Sequence, residues 1–558
     1  MLRFNLKEDN KNKDMKSNKN VYLVALGLLL LPLACSKNFL SQTDTQASSA
    51  QSLFHTPQDG ISLVNAIYDG FQHDNQNFLL KGLWYNANYC SQDYFNWGAD
   101  VSYNTYLFPA DFASLAVYWN DSYQGISRAN SALPIIAQMH SQGVITDALA
   151  NFLTGQVYFL RGVYYYYMGC TFGGVPLELN VATTGLHPRS SQDSVFMQVA
   201  SDMNAAAALL PWPQDLAAAD LGRATKGAAL SYHGAAKMWL KQYDSAILDF
   251  QQVIPHYTLL PNYMSIAEYN NQNNAESIFE IQFSLPGGST PDWSYNNNEV
   301  TWMSSFMWPW ETSNFGYTYA NPLLESSFEA GDMRKPATVI GPGDTIASPG
   351  IVAIGGIKAY GQVIAGFSGT LSLPASHFTG TDGKIINTCG KAGDLWTGDQ
   401  PGQPRSGYYG VKQWRDPNVS GNVTALAGNE AGKGVTAIFG DQNVTLLRLG
   451  EIYLDLAESQ FQTGNQAGAA ASMAIVRNRA WNGTAPVPTG DFMQSMLQEY
   501  RHELSGEVSL WYDLRRTGLQ IAYIQNIFGI TIPAGHDLLP IPQTAIAVNP
   551  FLKQNPNY

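Results

Sequence analysis

Apolar residues recur every three to four positions along much of the first half of the chain, the spacing that lines up one face of an α-helix. Between Tyr118 and Gln138 the repeat is carried by Trp119, Tyr123, Ile126, Ala129 and Leu133. Between Phe152 and Met168 it is carried by Leu153, Val157, Leu160, Tyr164 and Tyr167. Thr225 to Val253 shows it twice, on either side of a Lys241-Gln242-Tyr243-Asp244 turn. These stretches predict amphipathic helices, and the pattern dominates to about Ile281.

The Thr225–Val253 pair matches the tetratricopeptide pattern, in which small residues let two antiparallel helices touch. With Ala246 at the small position of the second helix, Gly234 falls at the small position of the first, and Leu230 and Phe250 at the large ones. A second copy reads from Thr445 to Arg479, with Tyr453, Leu456 and Ala457, a Gly464-Asn465 turn, then Ala469, Met473 and Val476. Leu446, Leu449, Tyr453 and Leu456 form its apolar stripe. Arg448, Glu451, Asp455 and Glu458 line another face, either solvated or ion-paired between helices. A lone hairpin cannot bury both faces, so several must stack, which accounts for a chain of 558 residues.

The predicted fold is mainly α: tetratricopeptide-like helix pairs in a superhelix, interrupted by a loop-rich subdomain with short strands. Residues 51–283 form the first helical region and 445–558 the second, the two packing as one body. Residues 284–444 are rich in Gly, Pro, Asn, Ser and Trp and lack helical periodicity. Short apolar runs there, Ile351 to Ile357 and Gly361 to Phe367, predict paired strands.

The N-terminus reads as an address. Val21 to Ala34 is a nearly unbroken apolar run behind Lys16 and Lys19, with the length of a signal peptide's apolar core and too short to span a bilayer comfortably. Met15 is an alternative start that would place a short basic segment directly before it. The run ends Leu31-Pro32-Leu33-Ala34-Cys35, which resembles a bacterial lipobox. Residues 1–34 are then a signal peptide, Cys35 the lipid-attachment residue, and 35–50 a polar tether. Attached acyl chains hold a protein on a membrane at about 0.8 kcal/mol per buried methylene, without a spanning helix.

Charge narrows the partners. Thirty-one basic against 44 acidic residues give −13. This balance disfavours nucleic acid, whose phosphates it repels. Cys90, Cys170 and Cys389 remain beside Cys35, so no disulfide framework is implied, although a Cys90–Cys170 bridge stays open. Nine histidines lie far apart and no HExxH or CxxC occurs, which disfavours metal chemistry; no cofactor is expected. Gly428 to Gly434 has a glycine-rich loop's composition, but Gly434 stands where a phosphate loop places Ser or Thr.

Four segments in order resemble the SusD/RagB family: the lipobox running into Cys35-Ser-Lys-Asn-Phe39-Leu40; Leu446 to Glu458; Arg501 to Arg516; and the tail from Leu539-Pro-Ile-Pro542 through Asn549-Pro550 to Gln554-Asn-Pro556. The resemblance implies an outer-membrane lipoprotein, surface-exposed, capping a SusC-like TonB-dependent transporter. It further implies binding of oligo- or polysaccharide, or of peptide as in some branches, for uptake. Two departures stand out: the Arg501–Arg516 stretch is less basic than usual, and Lys37 and Asn38 replace acidic residues that often follow the lipidated cysteine.

A sugar ring presents a weakly apolar C–H face and a rim of hydroxyls, so its site needs flat aromatic platforms and a few fixed polar groups. Two clusters have that composition. One holds Asn96 and Trp97, in a stretch that reads as a loop between helices. The other holds Trp293, Trp302, Trp308, Trp310 and Tyr317. The competing reading of each Trp is packing under a long loop. Trp119, Trp239, Trp481 and Trp511 sit in helical patterns and read as core, as does most of Tyr164 to Tyr167. Arg515 and Arg516 read as ion-pair partners of Glu503, Glu507 or Asp513 rather than as an anion site. An envelope glycoside hydrolase is the alternative function, but among 44 acidic residues sequence spacing cannot identify a catalytic pair. A tetratricopeptide scaffold without a ligand is the third reading.

Overall fold

The structure is a computed structural model that describes residues 54–72, 78–96, 100–181, 186–268, 271–284, 303, 307, 318–340, 345–346, 371–372, 408–412 and 442–558. The helices in chain order are α1 (Pro57–Asp69), α2 (Tyr85–Tyr89, continuing a π-helical turn Phe78–Trp84), α3 (Val101–Thr105), α4 (Ala113–Ser141), α5 (Asp147–Phe172), α6 (Gln192–Leu209), α7 (Lys226–Trp239) and α8 (Tyr243–Val253). After the central excursion come α9 (Pro322–Glu325), α10 (Lys335–Thr338), α11 (Leu449–Gln462), α12 (Gln466–Ala480), α13 (Phe492–Leu504), α14 (Leu510–Thr517), α15 (Gln520–Phe528) and α16 (Gln543–Val548).

Helix starts follow local chemistry. Thr56 and Asp59 form a reciprocal capping box on α1, with Pro57 in the first turn. Thr146, Ser191, Thr225 and Asp491 cap α5, α6, α7 and α13 through their side-chain oxygens. Helices α4 to α8 each pack on the next in sequence, and α11, some 200 residues beyond α8, packs against α8 and pairs with α12. The tetratricopeptide register is visible in α7 and α8: a Cβ on Gly234 would lie 2.5 Å from the Phe250 ring, so only glycine permits this approach. Leu230, Ala246 and Phe250 are all buried there.

The second copy differs from the reading of the sequence. Val444–Arg448 is strand β8, not the start of a helix, and pairs antiparallel with β2 (Ser277–Ile281) from Ile281↔Val444 to Ser277↔Arg448. Its Val-Thr-Leu-Leu run has strand propensity, and a partner strand is present to use it. The chain thus leaves the helices and returns through adjacent strands. Tyr94–Asn96 is strand β1 rather than loop, and pairs antiparallel with β3 (Thr318–Ala320). Two further ladders join β4 (Val339–Ile340) to β7 (Tyr409–Gly410) and β5 (Thr345–Ile346) to β6 (Leu371–Ser372). The strands expected at 351–357 and 361–367 lie outside the described residues.

The core is rich in tyrosine. Tyr164, Tyr165 and Tyr167 are buried and Tyr166 half-buried, each turned into packing. Tyr164 stacks on Phe71 at 4.1 Å, and a Cβ on Gly125 would meet its ring at 2.2 Å. Trp119 and Trp511 are buried, Trp239 and Trp481 half-buried. Cys90 and Cys170 are buried free thiols, so the bridge left open between them does not form. Among the described residues no helix is long and apolar enough to cross a membrane.

Candidate functional site

Tyr94–Asn96, at the start of the first aromatic cluster, and Thr318–Ala320, just after the second, pair in one short ribbon although some 200 residues apart in sequence. In the β1–β3 ladder Tyr94 faces Ala320, Phe95 faces Tyr319 and Asn96 faces Thr318. The antiparallel register has the chain leaving β1 at Asn96, just before Trp97, at the end where it enters β3 at Thr318, just after Tyr317. Phe95 and Tyr319 pack across the ladder with ring centroids 5.7 Å apart. Asn96 is buried, with its backbone N–H donating to Asn104 Oδ1 at 3.2 Å. Trp97, Trp293, Trp302, Trp308, Trp310 and Tyr317 lie outside the described residues, as does Cys35.

The ribbon is held rigidly. Asn104 donates to the carbonyls of Tyr89 (3.0 Å) and Tyr94 (2.9 Å) while accepting from Asn96, so one amide spans the approach to β1. Lys81 and Asp100, on either side of the Trp97 segment in sequence, pair at 3.1 Å. Just before β1, the buried Asp93 carboxylate accepts from Arg501 Nε at 2.7 Å and from Ser505 Oγ at 3.0 Å. Burial raises this carboxyl from its ordinary value, and Arg501 and Ser505 pull it back. Asn321, just beyond β3, donates its backbone N–H to the Asp93 carbonyl and its side-chain amide to that of Gln92.

Arg501 belongs to the Arg501–Arg516 stretch, and the rest of that stretch clasps the same segment. Trp84 Nε1 donates to the Gly506 carbonyl at 2.9 Å. Asn88 donates to the Glu507 carbonyl at 2.8 Å and accepts from the Gly506 N–H at 2.9 Å. The motif therefore acts as a buried clasp under the ribbon. Nothing in the sequence pattern marked Asp93 or Asn104 as its partners, because each pairing joins distant positions.

Beneath the clasp lies a fully desolvated charge network. Arg448 binds Glu276 at 2.8 Å and Glu507 at 2.8 Å, and also reaches Glu503. Arg334 binds Asp332 (2.7 Å), Glu499 (3.0 Å) and Glu503 (3.2 Å), and Arg479 adds Glu276 and Glu503. Burial alone would raise the Glu503 carboxyl; Arg479, Arg448 and Arg334 instead hold it well below the usual carboxylate range. Burial lowers the Lys412 ammonium to about 8 against the attraction of Glu507. Arg516 pairs with Asp513, Asp455 and Glu458, and the buried Arg515 faces Asp537 at 3.7 Å and the Cys170 carbonyl. Glu503 and Glu507 thus pair with other cations, and of the expected partners only Asp513 binds Arg516. Of the two readings of the row Arg448, Glu451, Asp455 and Glu458, inter-helix ion pairing holds for Asp455 and Glu458, which are buried on α11 and pair with Arg516 of α14. Arg448 is buried at the end of strand β8, and Glu451 is half-buried and accepts from Ser509 Oγ.

Comparison with known proteins gives this architecture a family. The SusD family model matches residues 275–558, which is half of the chain and contains β3, β8 and the clasp. The chain belongs to the SusD family. A second model of SusD-like proteins, described as starch-binding and associating with the outer membrane, matches residues 57–240 of this SusD-family chain. SusD-like protein P25 of Formosa agariphila is 22% identical over 480 residues, covering 79% of each chain. A SusD-like protein of Bacteroides ovatus is 23% identical over 288 residues, 48% of this chain and 50% of that one. Among solved structures, a laminarin-binding SusD-like protein superposes with a TM-score of 0.68 at 23% identity, over 90% of this chain and 100% of its own. Surface glycan-binding protein A from Bacteroides thetaiotaomicron, in complex with laminarihexaose, gives 0.65 at 19% identity, over 90% and 100%. At such identities these likenesses establish the mainly α, tetratricopeptide-like fold.

Proposed function

We propose that this SusD-family chain is a lipid-anchored outer-membrane protein that captures oligo- or polysaccharide without cleaving it and delivers it to a SusC-like TonB-dependent transporter. The observation that carries the reading is the Asn96↔Thr318 register. The stretch carrying Trp97 leaves, and the stretch carrying four tryptophans from Trp293 to Trp310 arrives, at one end of the ribbon, as one aromatic platform for sugar rings requires. The names of the relatives, glycan-binding and laminarin-binding, support the ligand class. Trp97, Trp293, Trp302, Trp308, Trp310 and Tyr317 supply the stacking faces in this reading. Asn96 acts from within, fixing the departure of the Trp97 stretch, and Cys35 carries the acyl anchor.

The test uses the soluble form from Ser36 onward in affinity gels containing laminarin, starch, xylan or mannan. Retardation by at least one polymer, lost in Trp97→Ala or Trp308→Ala with unchanged melting temperature, is the expected outcome. Formation of new reducing ends would replace capture with hydrolysis. Retardation by none of the polymers, or retardation that neither variant weakens, would remove the platform. Failure of Cys35→Ala to abolish palmitate labelling in cells would remove the anchor.

A further inference from the structure

A second cleft, with no residue of β1 or β3 in its lining, lies between the middle of α4, the 176–180 segment and the C-terminal helix α16. Its volume is about 410 Å³, within the range of roughly 300–1,000 Å³ typical of small-molecule sites. Trp119 and Tyr123, one helical turn apart on α4 with ring centroids at 5.1 Å, form the aromatic wall. Leu186, Val548 and Leu552 extend its apolar surface, Val548 being 74% exposed.

The back wall is pre-set. The Tyr123 hydroxyl donates to the Pro176 carbonyl at 2.8 Å. The Glu178 backbone is gripped at both ends by the Tyr165 hydroxyl and accepts from the Asn130 amide at 2.8 Å. Asn130 is fixed in turn by Arg161, itself locked by a 2.6 Å pair with Asp202. Across the cleft, Asn549 on the C-terminal side of α16 donates to the His187 carbonyl.

What remains uncommitted is neutral and polar. Asn120, Ser127, Asn180 and Thr544 line the cleft, are exposed, and have no side-chain hydrogen-bond partner among the described residues. The one charged lining side chain, Glu178, is engaged by His187 at 2.6 Å. Among the described residues no lining cation is available for an anion.

A pre-formed aromatic and aliphatic wall opposite a rim of amides and hydroxyls suits a ligand with one C–H face and several neutral hydroxyls. We infer that this cleft is a second saccharide-binding site, sized for one or two sugar residues and independent of the ribbon. A protein or peptide partner docking on its apolar edge is the rival outcome.

Native mass spectrometry and calorimetry on the Ser36-onward protein would be run with glucose, mannose, xylose, cellobiose, laminaribiose and maltose at up to about 10 mM, the range of weak single-residue sites. Ser127→Arg places a long cation in the cleft from an exposed position, and the pair Asn120→Ala with Asn180→Ala removes two rim amides. At least one saccharide should bind, weaken about tenfold or more in Ser127→Arg and severalfold in the amide pair, and persist in Trp97→Ala and Trp308→Ala. Binding lost in the tryptophan variants but untouched by both cleft variants overturns this inference and leaves the ribbon reading standing. The converse pattern keeps the cleft and removes the ribbon. Absence of any binding, or a cleft that takes up only peptides, overturns the inference.

Discussion

The helical stack α4–α8 and the block from β8 to α14 are built from similar helices but held together by opposite physics. In the stack, contacts are mainly aromatic and apolar, the buried Arg161–Asp202 pair between α5 and α6 being an exception: Phe71 on Tyr164, Gly234 under Phe250, Tyr166 against Tyr232 at 5.2 Å. In the later block, arginines and carboxylates fill the interior, with Arg448, Arg334 and Glu503 almost wholly removed from solvent. Apolar packing is non-directional and tolerates volume-conserving exchange. A buried ion network is directional and fails as a unit when one member is lost. The stack therefore supplies bulk stability, while the block fixes where Asp93, and with it the ribbon, must sit.

The sharpest way to break this contrast is Arg448→Met, which removes the guanidinium shared by Glu276, Glu503 and Glu507 and leaves them only Arg479, Arg334 and Lys412 as cations. Removing one partner of such a network costs roughly 3–5 kcal/mol, read as a lower urea midpoint. A loss under about 1 kcal/mol would mean that the network adds little beyond packing. In the stack, Gly234→Ala gains helix propensity but drives a methyl into the buried Phe250 ring, for a net loss of about 1–2 kcal/mol. Phe250→Leu in the same chain should restore part of it. At the edge of the stack, Thr56→Ala opens the capping box and costs about 1 kcal/mol in thermal unfolding.

The smallest effect at neutral pH is one of slope. Burial raises the Asp455 carboxyl from 3.8 to about 7, with Arg516 opposing and Asp513 and Glu458 adding to the rise. Its folded value lies above its unfolded one, so its contribution is full below about pH 3.8 and is lost as pH rises towards 7. Asp455→Asn should flatten the fall in stability across that window, whatever its constant offset. Glu503 has the opposite sign: its contribution is present above its ordinary value of 4.5 and is lost on acidification. A pH–stability curve unchanged between 4 and 7 in Asp455→Asn would show that this carboxyl titrates normally.

The same contrast decides what could be read from the sequence. Helical periodicity and the Gly234–Phe250 register are local, and both stand in the structure. The start of the second helix pair was misread because Val444–Arg448 is apolar in either geometry, and its strand partner at 277–281 is far away in sequence. For the Arg448–Glu458 row, spacing could not choose between a solvated face and inter-helix ion pairs, since charge alone does not report burial. Pairings such as Asp93 with Arg501 and Asn104 with the Tyr94 carbonyl join positions that no periodicity relates. Asn96 was legible as part of an aromatic cluster, but its buried place in a strand was not.

The β2–β8 ladder has a bearing on how such a protein diversifies. Its two strands hold Ile281 and Val444 side by side whatever is strung between them, and the entropy of closing a loop grows only logarithmically with its length. Where the intervening chain carries neither β3 nor the buried Asp332, Arg334 and Lys412 contacts, substitutions and length changes can therefore accumulate with little penalty to the helical framework, so that new ligand preferences can be explored on an inherited chassis.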